Sequence, residues 1–567
     1  LLIRIVLLFK DKDWQQFRFI GFALLGLTLA VGMALVIYLP VSNYAPFSIR
    51  GGSGGGSGYD YATSWSFSFA EMMTFFIPSF FGFGGPAYWG SMPFTDYPNY
   101  MGIIVLGLAL VGAVRYKGSV KVALVLTALF ALLLSFGKHF FLYKWFYDVF
   151  PYFDKFRVPV MFLILTQFSI AVLAGMGLET IRKPFSPGGS VKLTKALYGM
   201  AGCFFLLLIF GKSIASGIHF PPSQYAVVNE LRAQLITTDL RMVCVFVLLA
   251  IGVLIALFRN WLKPRVGLAL LLVFSILDLA AVDHRIIEPS KESLRSPVLQ
   301  SSGKIKSYLR EDEIIQFLKN DNSDFRILPL GKLMNENRWA AFGVESVTGY
   351  HPAKLQNYNS LITEVGLGSE GILRLLNVKY VLSLDPINHP SLKEVKRGKL
   401  WFQDAYVNGY VYEFHNHLPR AYFCNKASTV KDDTRRIRLM KAANFDPLRT
   451  AYVKKSLPDS SFLPENASVI LSARTPNRIE AQVTTDSPQF LVFSEVYYPG
   501  GWEASLNGKA LDIVEVDGVL RGISIPPGSS QIVMTFNPRD LKLGSMLSWT
   551  SLILILICLF VPLAYRK

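Results

Sequence analysis

Eight apolar stretches, spread along a chain of 567 residues, constrain the fold more than any other feature of this sequence. They are Phe19–Leu39, Met101–Val114, Val120–Phe136, Val158–Leu178, Ala196–Phe210, Met242–Phe258, Val266–Val282 and Met546–Ala564. A bilayer core of ~30 Å is crossed by about 20 apolar helical residues, since hydrocarbon tolerates only backbones that satisfy their own polar groups. The second and fifth stretches are short and are expected to be tilted, kinked or extended into the interface. With 51% hydrophobic and 17% charged residues and a mean hydropathy of +0.36, an ordinary soluble domain is excluded.

The loops set the orientation. Lys10, Lys12 and Arg18 precede the first span; Arg115, Lys117 and Lys121 join the second to the third. Arg182, Lys183, Lys192 and Lys195 precede the fifth, Arg259, Lys263 and Arg265 join the sixth to the seventh, and the chain closes Tyr565-Arg566-Lys567. With eight spans, all five clusters fall on one side, which an excess of Lys and Arg marks as cytoplasmic. Residues 1–283 then form a multi-pass membrane domain with exterior loops at 40–100, 137–157 and 211–241. Gly137–Arg157 departs from the pattern, carrying Lys138, Lys144, Lys155 and Arg157 on the outside. Much of the net charge of +17 is cytoplasmic loop charge, and no basic recognition helix accompanies it, so nucleic acid is excluded as a partner. Of four cysteines, Cys203, Cys244 and Cys558 fall in spans and Cys424 stands alone outside. Without a CxxC they indicate neither a disulfide framework nor a zinc or redox site. The opening LLIRIVLLF reads as the end of an apolar segment with no Met before it, so a further N-terminal part with more spans is expected.

Between the seventh and eighth spans lies a long exterior segment. Residues 284–466 mix helical stretches (Glu311–Asn320, Lys354–Gly366, Gly368–Leu376) with short apolar strands such as Phe325–Leu330 and Lys379–Leu384, an α/β pattern. His415 and His417 alternate on an expected strand, and no third ligand stands near them to make a metal site. From 467 to 540 the period becomes two, in seven short runs from SVILSAR to QIVMTF. Asn507-Gly508 and Asp517-Gly518 mark tight hairpins between them. The expectation is a small β-sandwich, with 541–567 forming the last membrane helix.

Four separated stretches resemble the YfhO family of bacterial multi-pass membrane proteins. The first is the loop Arg50–Gly102, with YDYATSWS, the Glu71 helix, IPSFFGFG and YWG. The second is Phe156-Arg157-Val158-Pro159, leading into a span that ends GMGLE. The third is Val347-Thr348-Gly349-Tyr350-His351-Pro352 through Tyr358, followed by Leu376-Asn377-Val378-Lys379-Tyr380. The fourth joins Leu418-Pro419-Arg420-Ala421-Tyr422-Phe423 to Tyr497-Tyr498-Pro499-Gly500-Gly501-Trp502, with two glycines before Trp502 where the family usually has one. The resemblance implies a GT-C-like polytopic domain in the bacterial plasma membrane. It also implies a glycosyltransferase that moves sugar from a polyprenyl-phosphate carrier to a cell-surface glycan, glycopolymer or lipid on the outer face. In that class the catalytic carboxylate lies on the first exterior loop, expected here before Leu1. The competing readings are a non-catalytic membrane protein with a glycan-binding exterior domain and a transporter of lipid-linked substrates. No cofactor is indicated, and a divalent metal is left open.

Candidate substrate-binding residues follow from chemistry at the membrane surface. Arg157, with Lys138 and His139 near it in sequence, offers planar donors to a carrier phosphate; contact with ordinary anionic headgroups is the alternative. Glu71 is an exterior carboxylate, yet Ser68-Phe69-Ala70-Glu71 has the spacing of a capping box. Asp96 sits between Pro93 and Pro98, where a turn role competes. Tyr88 and Trp89 suit sugar stacking or interfacial anchoring. Asp278, inside a span, is a candidate by its cost in lipid. The run 51–58, GGSGGGSG, is read as a loop able to order over substrate.

Overall fold

The computed structural model describes residues 17–51, 58–150, 153–182, 187–223, 227–289, 298–299, 301–457 and 461–564. Lys10, Lys12, Lys183, most of the 51–58 glycine run and Tyr565-Arg566-Lys567 lie outside them. Two compact units form: Leu1–Gly56 with Ser301–Lys567, and Ser57–Gln300.

All eight expected spans are helices. The first seven are α1 (Phe17–Tyr44), α2 (Ile103–Arg115), α3 (Ser119–Ser135), then, after the short α4 (Phe141–Val149), α5 (Leu163–Arg182), α6 (Pro187–Ser216), α7 (Val228–Phe258) and α8 (Pro264–Ile287). Arg539–Ala564 is the eighth. Six are long and apolar enough to cross a membrane, and α2 and α3 are shorter apolar helices. The fifth span is longer than expected because Pro187 to Lys195 continues it. The loop expected at 211–241 is mostly helix: α6 runs to Ser216 and α7 starts at Val228.

In the Ser57–Gln300 unit, α2 packs on α5 through small residues. A Cβ on Gly112 would lie 2.0 Å from the Leu173 carbonyl oxygen, and one on Gly177 2.0 Å from that of Leu108. Lipid offers no hydrophobic drive for helix pairing, so such close backbone approach supplies the dispersion contact that does. Helix α4 is amphipathic, exposing Phe141, Trp145 and Val149 while Tyr143 is buried, the pattern of a helix lying in the interface.

The other unit carries the β-structure. Its first sheet has order β1-β2-β4-β3, from β1 (Arg326–Pro329), β2 (Val378–Ser383), β3 (Leu392–Phe402) and β4 (Ala405–Phe414), with β1 parallel to β2. The same unit holds α9 (Ser302–Tyr308), α10 (Glu313–Lys319), which packs on β3, α11 (Gln356–Ser360), and α12 (Glu370–Leu375), which packs on β2. His415 and His417 fall past the end of β4, because a turn begins at His415, so they do not alternate on a strand.

Two further sheets make a sandwich. Their strands are β5 (Ala421–Phe423), β6 (Ala427–Thr429), β7 (Ala451–Val453), β8 (Ser468–Thr475), β9 (Arg478–Thr485), β10 (Gln489–Val496), β11 (Trp502–Leu506), β12 (Lys509–Leu511), β13 (Val514–Val516), β14 (Leu520–Ile525) and β15 (Gly528–Phe536). One sheet has order β5-β10-β14-β13-β7-β6, so three of its strands precede Ser468; the other has order β12-β11-β15-β9-β8. Asn507 and Gly508 both take positive φ in a two-residue turn between Leu506 and Lys509, as a type I′ hairpin requires. Strand β10 is buried on both faces: Phe490 and Val492 pack with Val516 and Leu520, while Leu491 and Phe493 pack with Ile523, Ile532 and Met534. With α13 (Asp433–Met440) flanking the sandwich, the chain closes in α14 (Arg539–Ala564), which packs on α1.

Candidate functional site

The expected site residues all fall in the Ser57–Gln300 unit, in the loop between α1 and α2 and the segment between α3 and α5. The first of these loops has few regular elements, so its shape depends on side chains that satisfy its backbone. Glu71 opens a 3-10 turn, Ala70–Phe75, and is buried. Its Oε2 accepts from the Ser68 backbone N–H at 3.1 Å, while Ser68 Oγ accepts from the Glu71 N–H at 3.2 Å. These are the reciprocal bonds of a capping box. The carboxylate also accepts from the Tyr88 hydroxyl at 2.5 Å and the Ser91 hydroxyl at 2.9 Å. Burial, with the Glu71 carboxylate as hydrogen-bond partner and charge, pushes the Tyr88 phenol well above its usual range.

His139 joins this cluster electrostatically. Burial and Lys138 lower its pKa while the Glu71 charge opposes them. Its Nε2 is buried without a hydrogen-bond partner among the described residues. Lys138 is exposed, and its backbone N–H donates to Ser66 Oγ at 3.0 Å, tying the turn after α3 to the first loop. Trp89 is held by its indole N–H on the Phe80 carbonyl at 2.9 Å and by the rings of Phe81 and Phe220. Asp96 is exposed in a bend. Glu71 and Tyr88 therefore come together through a hydrogen bond, and Asp96 does not join them.

Arg157 stands elsewhere in the same unit. Half-buried, it donates from Nη1 to the Tyr61 hydroxyl and lies 5.2 Å from that ring's centre. The next residue, Val158, has φ 66° and ψ 68°, a left-handed conformation that a β-branched residue adopts at a cost of ~1–3 kcal/mol. Two backbone bonds hold it there: Val158 N–H to the Ala62 carbonyl at 3.0 Å and Val160 N–H to that of Trp65 at 3.2 Å. Strain of this kind persists where the surroundings over-determine a geometry, and here it fixes where the Arg157 side chain leaves the backbone.

Two acidic residues in helices brace the unit. Asp278 on α8 is buried and accepts from the Tyr100 hydroxyl at 2.7 Å and the Ile103 backbone N–H at 2.8 Å. Helix α2 has only 13 residues, roughly 20 Å of rise, too little to cross a ~30 Å core. Its first N–H groups therefore need a polar partner, and Asp278 supplies one. Asp239 on α7, absent from the sequence-based candidates, is fully buried; it accepts from the Ser79 N–H at 2.5 Å and from Arg285. Arg232, one turn into α7, donates to the Ala87 and Pro221 carbonyls at 3.0 and 3.1 Å. The signal for both was available: Arg232 and Asp239 stand seven apart, on one face of a helix, in a stretch read as loop.

Among the described residues, no three of His, Cys, Asp and Glu converge to hold a metal ion. No curated protein and no solved structure matches the chain. Residues 375–548, from the end of α12 through the sandwich into α14, match the family described as bacterial membrane protein YfhO, and the apolar helices outside that stretch agree: this is a membrane protein resembling that bacterial family.

Proposed function

We propose that this protein is a membrane glycosyltransferase that transfers sugar from a polyprenyl-phosphate carrier to a glycan, glycopolymer or lipid acceptor at the outer face. The observation that carries the reading is Arg157. A guanidinium is seated on Tyr61 beside a strained backbone, in the segment that follows an interfacial amphipathic helix. In transfer an acceptor hydroxyl oxygen bonds to the anomeric carbon as the bond from that carbon to the carrier phosphate oxygen breaks; the acceptor hydroxyl gives up its proton, and negative charge grows on the departing phosphate. A fixed planar cation meets two of its oxygens at once. Lys138, exposed at the turn after α3, adds positive potential. Glu71 serves the shape of the site in this reading, because its oxygens are already engaged by Ser68, Tyr88 and Ser91.

Sugar transfer by the purified protein at limiting and saturating carrier tests the reading. Arg157→Ala should lower transfer at limiting carrier by about tenfold or more, the loss expected of a charge-assisted pair worth ~1.5–3 kcal/mol. Arg157→Lys should recover only part, since the ammonium lacks the planar fork. Near wild-type transfer by the alanine variant at limiting carrier removes Arg157 from the site. A lysine variant equal to wild type, with alanine altering only membrane association, assigns it to headgroup anchoring.

A further inference from the structure

The stretch Val347–His351 lies in the other unit and has no part in the reading above. It lines a cavity of about 960 Å³ whose walls include Tyr44, Arg326, Trp339, Glu345, Tyr350 and Lys354. That volume is at the upper end of the ~300–1,000 Å³ typical of ligand sites. We propose that this cavity binds a neutral pyranose of a glycan, with the Tyr350 ring as its stacking platform.

Tyr350 exposes 64% of its surface, yet its backbone is clamped. The Asn337 side chain donates to the Tyr350 carbonyl at 2.9 Å and accepts from the Tyr350 N–H at 2.9 Å. Gly349, at φ +140°, lets the chain pass close to that clamp: a Cβ there would lie 2.8 Å from Asn337 Oδ1. An aromatic ring left in water on a fixed backbone is costly to folding and favourable to binding, because little entropy is lost when a ligand covers it. Trp339, 2% exposed, packs behind the cavity as part of its rigid wall.

Charge selects the ligand. The lining holds Arg326 and Lys354 against Glu336 and Glu345, two cations and two carboxylates. Glu345 is kept ionised, its pKa pulled down to about 2 chiefly by Arg420 despite burial. A balanced lining of this kind disfavours a phosphate or any strongly charged group and suits an uncharged, hydroxyl-rich ring. Such a ring has one apolar C–H face for Tyr350 and an edge of hydroxyls for the polar walls. The location fits a surface glycan: Tyr44, at the end of α1, lines the cavity and donates to the Ala353 carbonyl at 2.6 Å. Arg50 Nε donates to the Pro352 carbonyl at 2.6 Å. The cavity is thereby fastened to the end of a spanning helix.

The test is saturation-transfer NMR and titration on the full chain in nanodiscs. The probes are neutral gluco- and galacto-configured disaccharides, with and without N-acetyl groups, and glycerol phosphate as the charged comparator. At least one disaccharide should bind. Tyr350→Ala should weaken it about tenfold and Tyr350→Phe by less than about threefold, since the ring and not the hydroxyl is used. Gly349→Ala should weaken binding while the ring remains, by disturbing the Asn337 clamp. Thermal melting of the Tyr350 variants should match wild type, as the ring packs on little. Failure of every disaccharide to bind overturns the proposal. So does equal binding by Tyr350→Ala, or glycerol phosphate binding displaced by none of the sugars.

Discussion

Asp517 shows how much a single buried group can decide. It sits at φ 50° in the turn between β13 and β14, 2% exposed, with Oδ1 accepting from the Tyr452 N–H at 2.9 Å and Oδ2 unpartnered among the described residues. Tyr422, Cys424 and Tyr452 crowd it, and Arg436 is the cation that acts on it. Burial outweighs that cation and the backbone bond, so the pKa rises to about 7. A carboxyl raised above its unfolded value contributes stability that is full below pH ~4 and lost as pH rises through about 7. The upper bound for that loss is on the order of 4 kcal/mol. Thermal melts of the sandwich should therefore fall between pH 4.5 and pH 8. Asp517→Asn, which keeps the Oδ1 acceptor and tolerates positive φ, should flatten that fall; an unchanged profile would show that other groups cause it. Asp-Gly was legible in the sequence as a hairpin turn. That the turn would be buried was not, because burial is set by strands far away in the chain. The same holds for Arg420, 2% exposed and paired with Glu345 and Glu495, which the sequence showed only as part of a family-like stretch.

At the scale of elements, the spans were legible because apolar length is a property of the chain alone. Their ends were not, since polar residues such as Arg232 and Asp239 continue α7 once loop carbonyls and Arg285 satisfy them. Helix α2 illustrates the coupling. Its thirteen residues are held in place because Asp278 caps the start and Gly112 lets the helix press on α5. Two substitutions two residues apart on α5 should then differ sharply. Gly177→Ala brings a Cβ to 2.0 Å from a backbone oxygen, whereas a Cβ on Gly175 meets nothing within 4 Å. The first should lower the melting temperature by roughly 5 °C or more, from overpacking of ~1–3 kcal/mol in a region of this size. The second should leave it unchanged. Equal melting of the two variants would mean that α2 and α5 do not pack this closely.

On the scale of the whole molecule, the basic clusters between the eight expected spans predict that residues 284–540 face outside. Lys509, exposed next to the Asn507-Gly508 turn, offers a site to check this. Lys509→Cys in intact cells should react with a membrane-impermeant thiol reagent; reaction only after permeabilisation would reverse the orientation. Composition and hydropathy alone determined that the chain crosses a membrane many times. Period-two alternation determined that its last exterior stretch is β-structure, because both signals are local and repeat along the backbone. Tertiary structure alone decided which strands share a sheet, as β5–β7 join β10 and β14 across the sequence. It also decided that the Glu71 carboxylate is committed to Ser68, Tyr88 and Ser91, and that Asp278 caps a neighbouring helix. Those outcomes depend on which groups meet across long separations, and a buried polar group takes the role of whatever partner it meets there.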